Sequence, residues 1–231
     1  MTAGLFICDH VPSEYQSTFG DYSDMFARLF PEFEWKLYDI INGRFPRDLN
    51  ECDVYMATGS HHSVYENLAW INKTKEMIRE LYSLNKFFIG FCFGHQLLGD
   101  AMGGKVEKSS NGWCVGAHVY TVSEQTDWMV PYRNPVNLLM VCQDQVVKLP
   151  EHARVLASAE MCPNAIIQVG QRMLGIQGHP EFSKEYDQFL MEKRVERIGA
   201  EVVKEGIKSL EKKIDTDLIH DWILAFLQRA V

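Results

Sequence analysis

The segment Phe87-Phe88-Ile89-Gly90-Phe91 constrains the fold more than any other part of the chain. Its apolar character is continuous, which is typical of a strand buried on both faces of a parallel sheet. Cys92 follows at once, and a helix is expected at about residues 94–102. A buried strand that passes directly into a helix is characteristic of α/β folds.

The first half of the chain predicts an alternation of strands and helices. Hydrophobic periodicity gives strands at residues 5–7, 35–41 and 53–57, and helices at residues 20–30 and 66–84. Since such an alternation builds parallel sheets through right-handed crossovers, we expect a doubly wound, mostly parallel sheet with helices on both faces.

The middle of the chain, residues 104–178, predicts a more antiparallel region that completes the domain. It contains Gly, Asn and Pro, with β-type runs at 115–122 and 138–147. No internal repeat or linker separates it from the rest of the sequence. The whole chain, residues 1–231, is therefore expected to form one domain.

Residues 183–231 are expected to be the helical C-terminal part of that domain. The predicted helices cover 183–201, 203–213 and 217–229. The last helix carries a broad apolar stripe between residues 218 and 227, which we expect to dock on the sheet. The alternative for this stripe is an oligomer contact.

Charge and composition exclude several classes of protein. The net charge of −8 and pI near 5.5 disfavour nucleic acid as a partner, which requires a clustered basic surface. No apolar run approaches the roughly 18 residues of a membrane helix. The start of the chain predicts a first strand rather than a signal peptide. Six widely spaced cysteines indicate reduced thiols and a cytoplasmic protein.

A nucleophile elbow is predicted at Cys92. Gly90 and Gly94 flank it at −2 and +2, and glycines permit a tight strand-to-helix turn. Such a turn places the sulfur at a helix N-terminus, where the dipole and free N–H groups favour thiolate. The N–H of Phe93 would then point at a developing oxyanion. The alternative is a buried structural cysteine.

His179-Pro180-Glu181 supplies a candidate base and its orienting acceptor. A cysteine nucleophile needs a general base, and the base needs a partner that fixes its ring. Proline restricts the backbone between His179 and Glu181. The carboxylate can accept from one ring nitrogen while the other nitrogen faces the thiol.

The two segments Gly-Phe-Cys-Phe-Gly-His-Gln and Gly-Ile-Gln-Gly-His-Pro-Glu resemble those of the class I (triad) glutamine amidotransferases. The resemblance covers about residues 50–182 and is closest to the free-standing members of the family. It implies a flavodoxin-like three-layer sandwich, with Cys92 as nucleophile, His179 as general base and then acid, and Glu181 as orienter.

The resemblance also implies further site residues. The N–H of Gly59 joins that of Phe93 in an oxyanion hole, Ser60 lies in the same loop on the substrate side, and Gln96 contacts the α-substituents of glutamine. The chain departs from the family at Gly178, where an aromatic residue is common. It also has Cys142 where many members have the histidine of a His-Gln-Asp segment.

Several other polar residues have two open interpretations. The turn Asn111-Gly112-Trp113 is either a substrate rim or a turn whose indole packs in a core. Gln143 and Asp144 either face an ammonia acceptor or form a solvated turn. His61 and His62 lack ligand partners at metal spacing, so neither a metal nor another cofactor is expected.

The predicted function is a glutamine amidotransferase-type amidohydrolase that cleaves the γ-amide of glutamine through a γ-glutamyl thioester. The ammonia would pass to a separate synthetase or other acceptor protein. One alternative is a free-standing γ-glutamyl peptidase or hydrolase with no acceptor. Another is a catalytically silent regulatory or binding protein on the same fold.

Overall fold

The computed structural model describes residues 1–229. Its strands are β1 Thr2–Phe6, β2 Glu34–Tyr38, β3 Val54–Ala57, β4 Phe87–Phe91, β5 Lys105–Lys108, β6 Cys114–Val122, β7 Val136–Cys142, β8 Asp144–Lys148, β9 Ala153–Ala159, β10 Cys162–Val169 and β11 Met173–Ile176. Its α-helices are α1 Ser13–Phe19, α2 Tyr22–Leu29, α3 Ala69–Ser83, α4 Phe93–Ala101, α5 Lys184–Lys193, α6 Val195–Ile198, α7 Ala200–Ser209 and α8 Thr216–Leu227.

Nine strands form one sheet in the order β2-β1-β3-β4-β11-β10-β9-β6-β7. Every pairing from β2 to β11 is parallel, and every pairing from β11 to β7 is antiparallel. Strands β5 and β8 form a separate antiparallel ribbon. The α/β prediction is confirmed, including the antiparallel region expected from residues 104–178.

Helices cover both faces of the sheet because successive strand residues point to opposite sides. Ile89 of β4 packs in the cluster that contains α2 and α8, whereas Phe88 packs with α3 and α4. Helices α5 and α7 cover the β6–β7 part. The stripe at residues 218–227 is buried in the core, as expected.

Element boundaries differ from the prediction where the chain changes direction. The expected strand 138–147 is divided at Gln143, because β7 pairs in the main sheet and β8 in the ribbon. The expected helix 183–201 breaks after Lys193 and again at Gly199, whose φ is +102°. Helix α1 was not predicted, since none of its residues is fully buried and its apolar periodicity is weak.

Two expectations from composition concern membranes and cysteines. Within residues 1–229, no helix is both long and apolar enough to cross a bilayer. All six cysteines are free thiols and all six are buried.

The turn from β4 into α4 depends on two glycines. Cys92 has φ +48° and ψ −98°, an unusual backbone conformation for a residue with a side chain. A Cβ on Gly90 would lie 2.2 Å from the carbonyl carbon of Gly94, and one on Gly94 would lie 2.5 Å from the carbonyl oxygen of Ala57. Only glycine permits this close approach of helix and sheet.

We predict that Gly90→Ala destabilises the protein by about 3 kcal/mol or more, because the new methyl group meets backbone rather than a movable side chain. Urea denaturation measures the effect. Gly43→Ala is the matched control: its added Cβ meets nothing within 4 Å, so only its φ of +77° is strained. We expect a cost of about 1 kcal/mol there. Equal costs for the two variants would contradict the steric explanation.

Candidate active site

Three loops meet at the carboxyl ends of β3, β4 and β11. These strands are parallel neighbours in the sheet, so their C-terminal ends lie at the same edge. Gly59 follows β3, Cys92 follows β4 and His179 follows β11. The N–H of Cys92 donates to the carbonyl of Ile176 at 2.9 Å, which holds the end of β11 beside the residue that follows β4.

His179 and Glu181 form a buried pair. The distance between His179 Nδ1 and Glu181 Oε1 is 2.8 Å, and the two side chains are 4% and 0% exposed. The ring of Phe182 stacks on the imidazole with centroids 3.9 Å apart and an interplanar angle of 7°. Glu181 therefore holds one edge of the imidazole, and Phe182 covers one of its faces.

The pKa of His179 reflects two opposing effects. Burial alone would lower it, since a charged imidazolium loses hydration. The negative charge of Glu181 and the interaction with Cys92 outweigh burial and raise the pKa of His179 to about 10. The arrangement therefore favours the charged form of the His179 imidazole.

Backbone N–H groups surround the candidate nucleophile. A Cβ on Gly59 would lie 2.9 Å from His179 Cε1 and 3.9 Å from Cys92 Cβ, so the Gly59 backbone lies against both residues. Phe93 is the first residue of α4, and its N–H has no partner within the helix. The Thr58 hydroxyl accepts from the N–H of Cys8 and donates to the carbonyl of Gly59, which holds the loop in place.

A small cavity of about 40 Å³ opens at Cys92. Ser60, Gln96 and Trp113, all expected to bind substrate, line it. The Gln96 amide donates to the carbonyl of Asp144 at 2.7 Å. Asn111 and Gly112 were expected to bind substrate as well. They do not line this cavity but the neighbouring surface groove, which also contains Trp113.

Residues Gln143 and Asp144, considered for the acceptor side, also line the Cys92 cavity. Asp144 accepts hydrogen bonds from the hydroxyls of Ser63 and Tyr65. His61 and His62 lie on the cavity wall but face Asp9 and Glu66, respectively. No group of three or more metal-ligating side chains occurs among residues 1–229.

Two arginines of the cavity were not found by sequence reasoning. Arg194 lines both the Cys92 cavity and a second recess that contains His179, and Arg197 lines the former. The Arg197 guanidinium lies over the Trp113 ring at 5.1 Å. Neither arginine forms an ion pair within residues 1–229. No local signal in the sequence separates them from the other charges of residues 184–213.

The unusual Gly178 has a physical explanation. A Cβ there would lie 2.6 Å from the hydroxyl oxygen of Tyr120 and 3.0 Å from Leu138 Cβ. Tyr120 projects from β6 and is fully buried. The space beside Gly178 is therefore already filled by an aromatic residue from another strand.

Asp187 is a second buried acid behind the site. It is 0% exposed, and neither carboxyl oxygen has a hydrogen-bond partner within residues 1–229. Burial raises the pKa of Asp187 to about 7, although the positive charge of His179 lowers it in part. Its position among the apolar residues of α5, four residues before Met191, was the available sequence signal.

Comparison with known proteins gives consistent relationships. The profile of the glutamine amidotransferase class-I family matches residues 48–198. The chain is 34% identical to gamma-glutamyl peptidase 3 of Arabidopsis thaliana over 78% of its length and 76% of that protein. It is 29% identical to the GMP synthase of Porphyromonas gingivalis, covering 60% of this chain but 26% of the synthase.

A solved glutamine amidotransferase from Thermotoga maritima has a similar fold. The two structures superimpose with a TM-score of 0.77 at 19% identity and cover 99% of each chain.

We predict that Asp187 makes stability depend on pH. Its folded-state pKa of about 7 lies above the ordinary 3.8, so the native state holds a proton that the unfolded chain releases first. As the pH rises from about 4 to above 7, the free energy of unfolding of the wild type should therefore fall by up to about 4 kcal/mol relative to that of Asp187→Asn.

Denaturant titrations across this pH range test the prediction. Asp217→Asn, at an exposed position in α8, is the control and should follow the wild type. Parallel stability curves for the wild type and Asp187→Asn would show that the Asp187 carboxyl does not titrate this way.

Proposed function

The chain belongs to the class I glutamine amidotransferase family and is a hydrolase of that type; we propose that it acts as a free-standing γ-glutamyl peptidase. In this proposal Cys92 attacks the γ-carbonyl of a γ-glutamyl compound and carries the γ-glutamyl group as a thioester. The observation that carries the proposal is the buried His179–Glu181 pair beside the strained Cys92 turn.

The proposed first step forms the thioester. The thiol proton of Cys92 has already passed to His179, and the thiolate sulfur forms a bond to the γ-carbonyl carbon, whose π electrons move to the oxygen. The N–H groups of Gly59 and Phe93 donate to the resulting oxyanion, each contributing ~2.7–4 kcal/mol by analogy with other oxyanion holes. His179 then gives its proton to the leaving amine as the C–N bond breaks.

The second step hydrolyses the thioester. His179, again neutral, takes a proton from water as the water oxygen attacks the thioester carbonyl. The C–S bond breaks, glutamate leaves, and the proton returns to Cys92. Glu181 holds the imidazole in one orientation through both steps and stabilises its charged form.

Charge in the cavity supports a γ-glutamyl substrate with free carboxylates. Arg194 and Arg197 bring two guanidinium groups to the Cys92 cavity of a chain with net charge −8. Charge-assisted hydrogen bonds from guanidinium to carboxylate are strong and geometrically specific. A γ-glutamyl amino acid carries two carboxylates, on the head and on the leaving group, whereas glutamine carries one.

The chain is more similar to a gamma-glutamyl peptidase than to a GMP synthase, which supports hydrolysis of a γ-glutamyl compound. The chain covers 76% of the Arabidopsis gamma-glutamyl peptidase 3 but 26% of the GMP synthase, which is much longer. A second candidate is delivery of ammonia to a separate synthetase, favoured by the similarity to GMP synthase. Glutaminase activity that appears only with an added synthetase would support it over free hydrolysis.

We expect Cys92→Ala to lower turnover of γ-glutamyl peptides by at least about 10⁴-fold, because no other group can form the thioester. Amino acid release measures turnover, and mass spectrometry of the quenched wild type detects the γ-glutamyl adduct. Cys162→Ala, which removes another buried thiol, is the control and should stay active. Full activity of Cys92→Ala would contradict the proposal.

We expect Glu181→Gln to reduce kcat roughly 10²- to 10⁴-fold while the fold persists. Since Glu181 is the strongest of the influences that raise the pKa of His179, the alkaline limb of the pH–rate profile should also move to lower pH. Glu185→Gln, exposed on α5, is the matched control. An unshifted alkaline limb would argue against the orienting role.

A further inference from the structure

A large groove adjoins the Cys92 cavity and has no role in the chemistry described above. It measures about 640 Å³, against about 40 Å³ for the cavity. It runs between β6 and α7, and we name it the Trp113 groove. Its apolar wall consists of Trp113, Val115, Val119, Met161, Ile198 and Val202.

Trp113 connects the groove to the nucleophile. Its side chain lines the Cys92 cavity and the Trp113 groove, so the two spaces are neighbours across one indole. The Arg197 guanidinium lies over the ring at 5.1 Å and fixes its orientation. The indole is therefore the point at which a molecule bound at Cys92 would reach the groove.

The two elements that form the groove are fixed against each other. A Cβ on Gly116 of β6 would lie 2.4 Å from the carbonyl oxygen of Gly206 of α7, so backbone contacts backbone there. The Ser209 hydroxyl accepts a hydrogen bond from the Ala117 N–H at 2.7 Å, which also holds α7 against β6. A preformed groove of this size is within the usual range of small-molecule sites.

The chemistry of the groove selects its occupant. Val119 and Val202 both line the groove and are 41% and 40% exposed, so the groove presents apolar surface to solvent. Glu160, Glu201 and Glu205 make its rim acidic. Lys212, whose ammonium donates to the Ala117 carbonyl, offsets one of these three carboxylate charges. The groove therefore favours an apolar group without an anionic end.

We propose that the Trp113 groove binds the apolar side chain of the leaving amine, and that the preferred substrates are γ-glutamyl derivatives of bulky apolar amino acids. This inference rests on the proposed hydrolase function. The γ-glutamyl head occupies the narrow cavity with Gln96 and Arg194, and the side chain of the leaving group packs on Trp113 and Val202. The turn Asn111-Gly112-Trp113 then forms one end of this subsite.

The test compares kcat/KM for γ-glutamyl-leucine and γ-glutamyl-glycine, which differ only in the apolar side chain. We expect the wild type to prefer the leucine compound by about tenfold or more, because that side chain leaves water. Val202→Lys, which puts an ammonium into the groove, should bring the ratio close to one. Val195→Lys is the matched control, since Val195 is 36% exposed and lines neither space.

The possible outcomes distinguish a failure of the groove assignment from a failure of the proposed hydrolysis at Cys92. A wild-type ratio near one, or a ratio that Val202→Lys leaves unchanged, overturns the groove assignment while hydrolysis at Cys92 stands. If neither peptide is turned over, or if Cys92→Ala turns both over, the proposed function itself fails. A ratio that Val195→Lys lowers as strongly as Val202→Lys also overturns the assignment.

Discussion

The tight passage from β4 into α4 is the constraint on which the rest of the site depends. Cys92 adopts φ +48° because the sheet hydrogen bond to Ile176 holds one side of it and α4 begins at once on the other. A non-glycine residue in such a conformation costs about 1–3 kcal/mol and persists only where its surroundings enforce it. Here Gly90 and Gly94 let the helix lie directly on the sheet, which supplies that enforcement.

Placement of β11 beside β4 converts this turn into a site. The parallel pairing brings the loop after β11 next to Cys92, and His179 and Glu181 form their pair in a nearly water-free environment. Burial strengthens the attraction between these charges and also makes each of them costly alone. Burial raises the pKa of Asp187 behind the site to about 7 for the same reason, since no hydrogen bond within residues 1–229 compensates its charge.

In the proposed function, substrate selection would depend on elements outside the parallel half of the sheet. Arg194 and Arg197 come from the broken helices after β11, and Trp113 precedes β6 in the antiparallel half. The family relationship supports the proposed chemistry at Cys92, and these residues contribute to the charge and shape of the space around it. The proposed division is a narrow polar cavity for the γ-glutamyl head and a wide apolar groove for the leaving group.

The sequence by itself determined the features that local neighbours define. The apolar run before Cys92, its flanking glycines and the His-Pro-Glu turn predicted the strand, the elbow and the 2.8 Å pair, because each depends on residues adjacent in the chain. Only the tertiary structure decided which distant residues meet there. Tyr120 fills the space beside Gly178, and Arg194 reaches the cavity, through packing between elements far apart in sequence. Periodicity identifies a buried face, but it does not identify the residue on the opposite side of the contact.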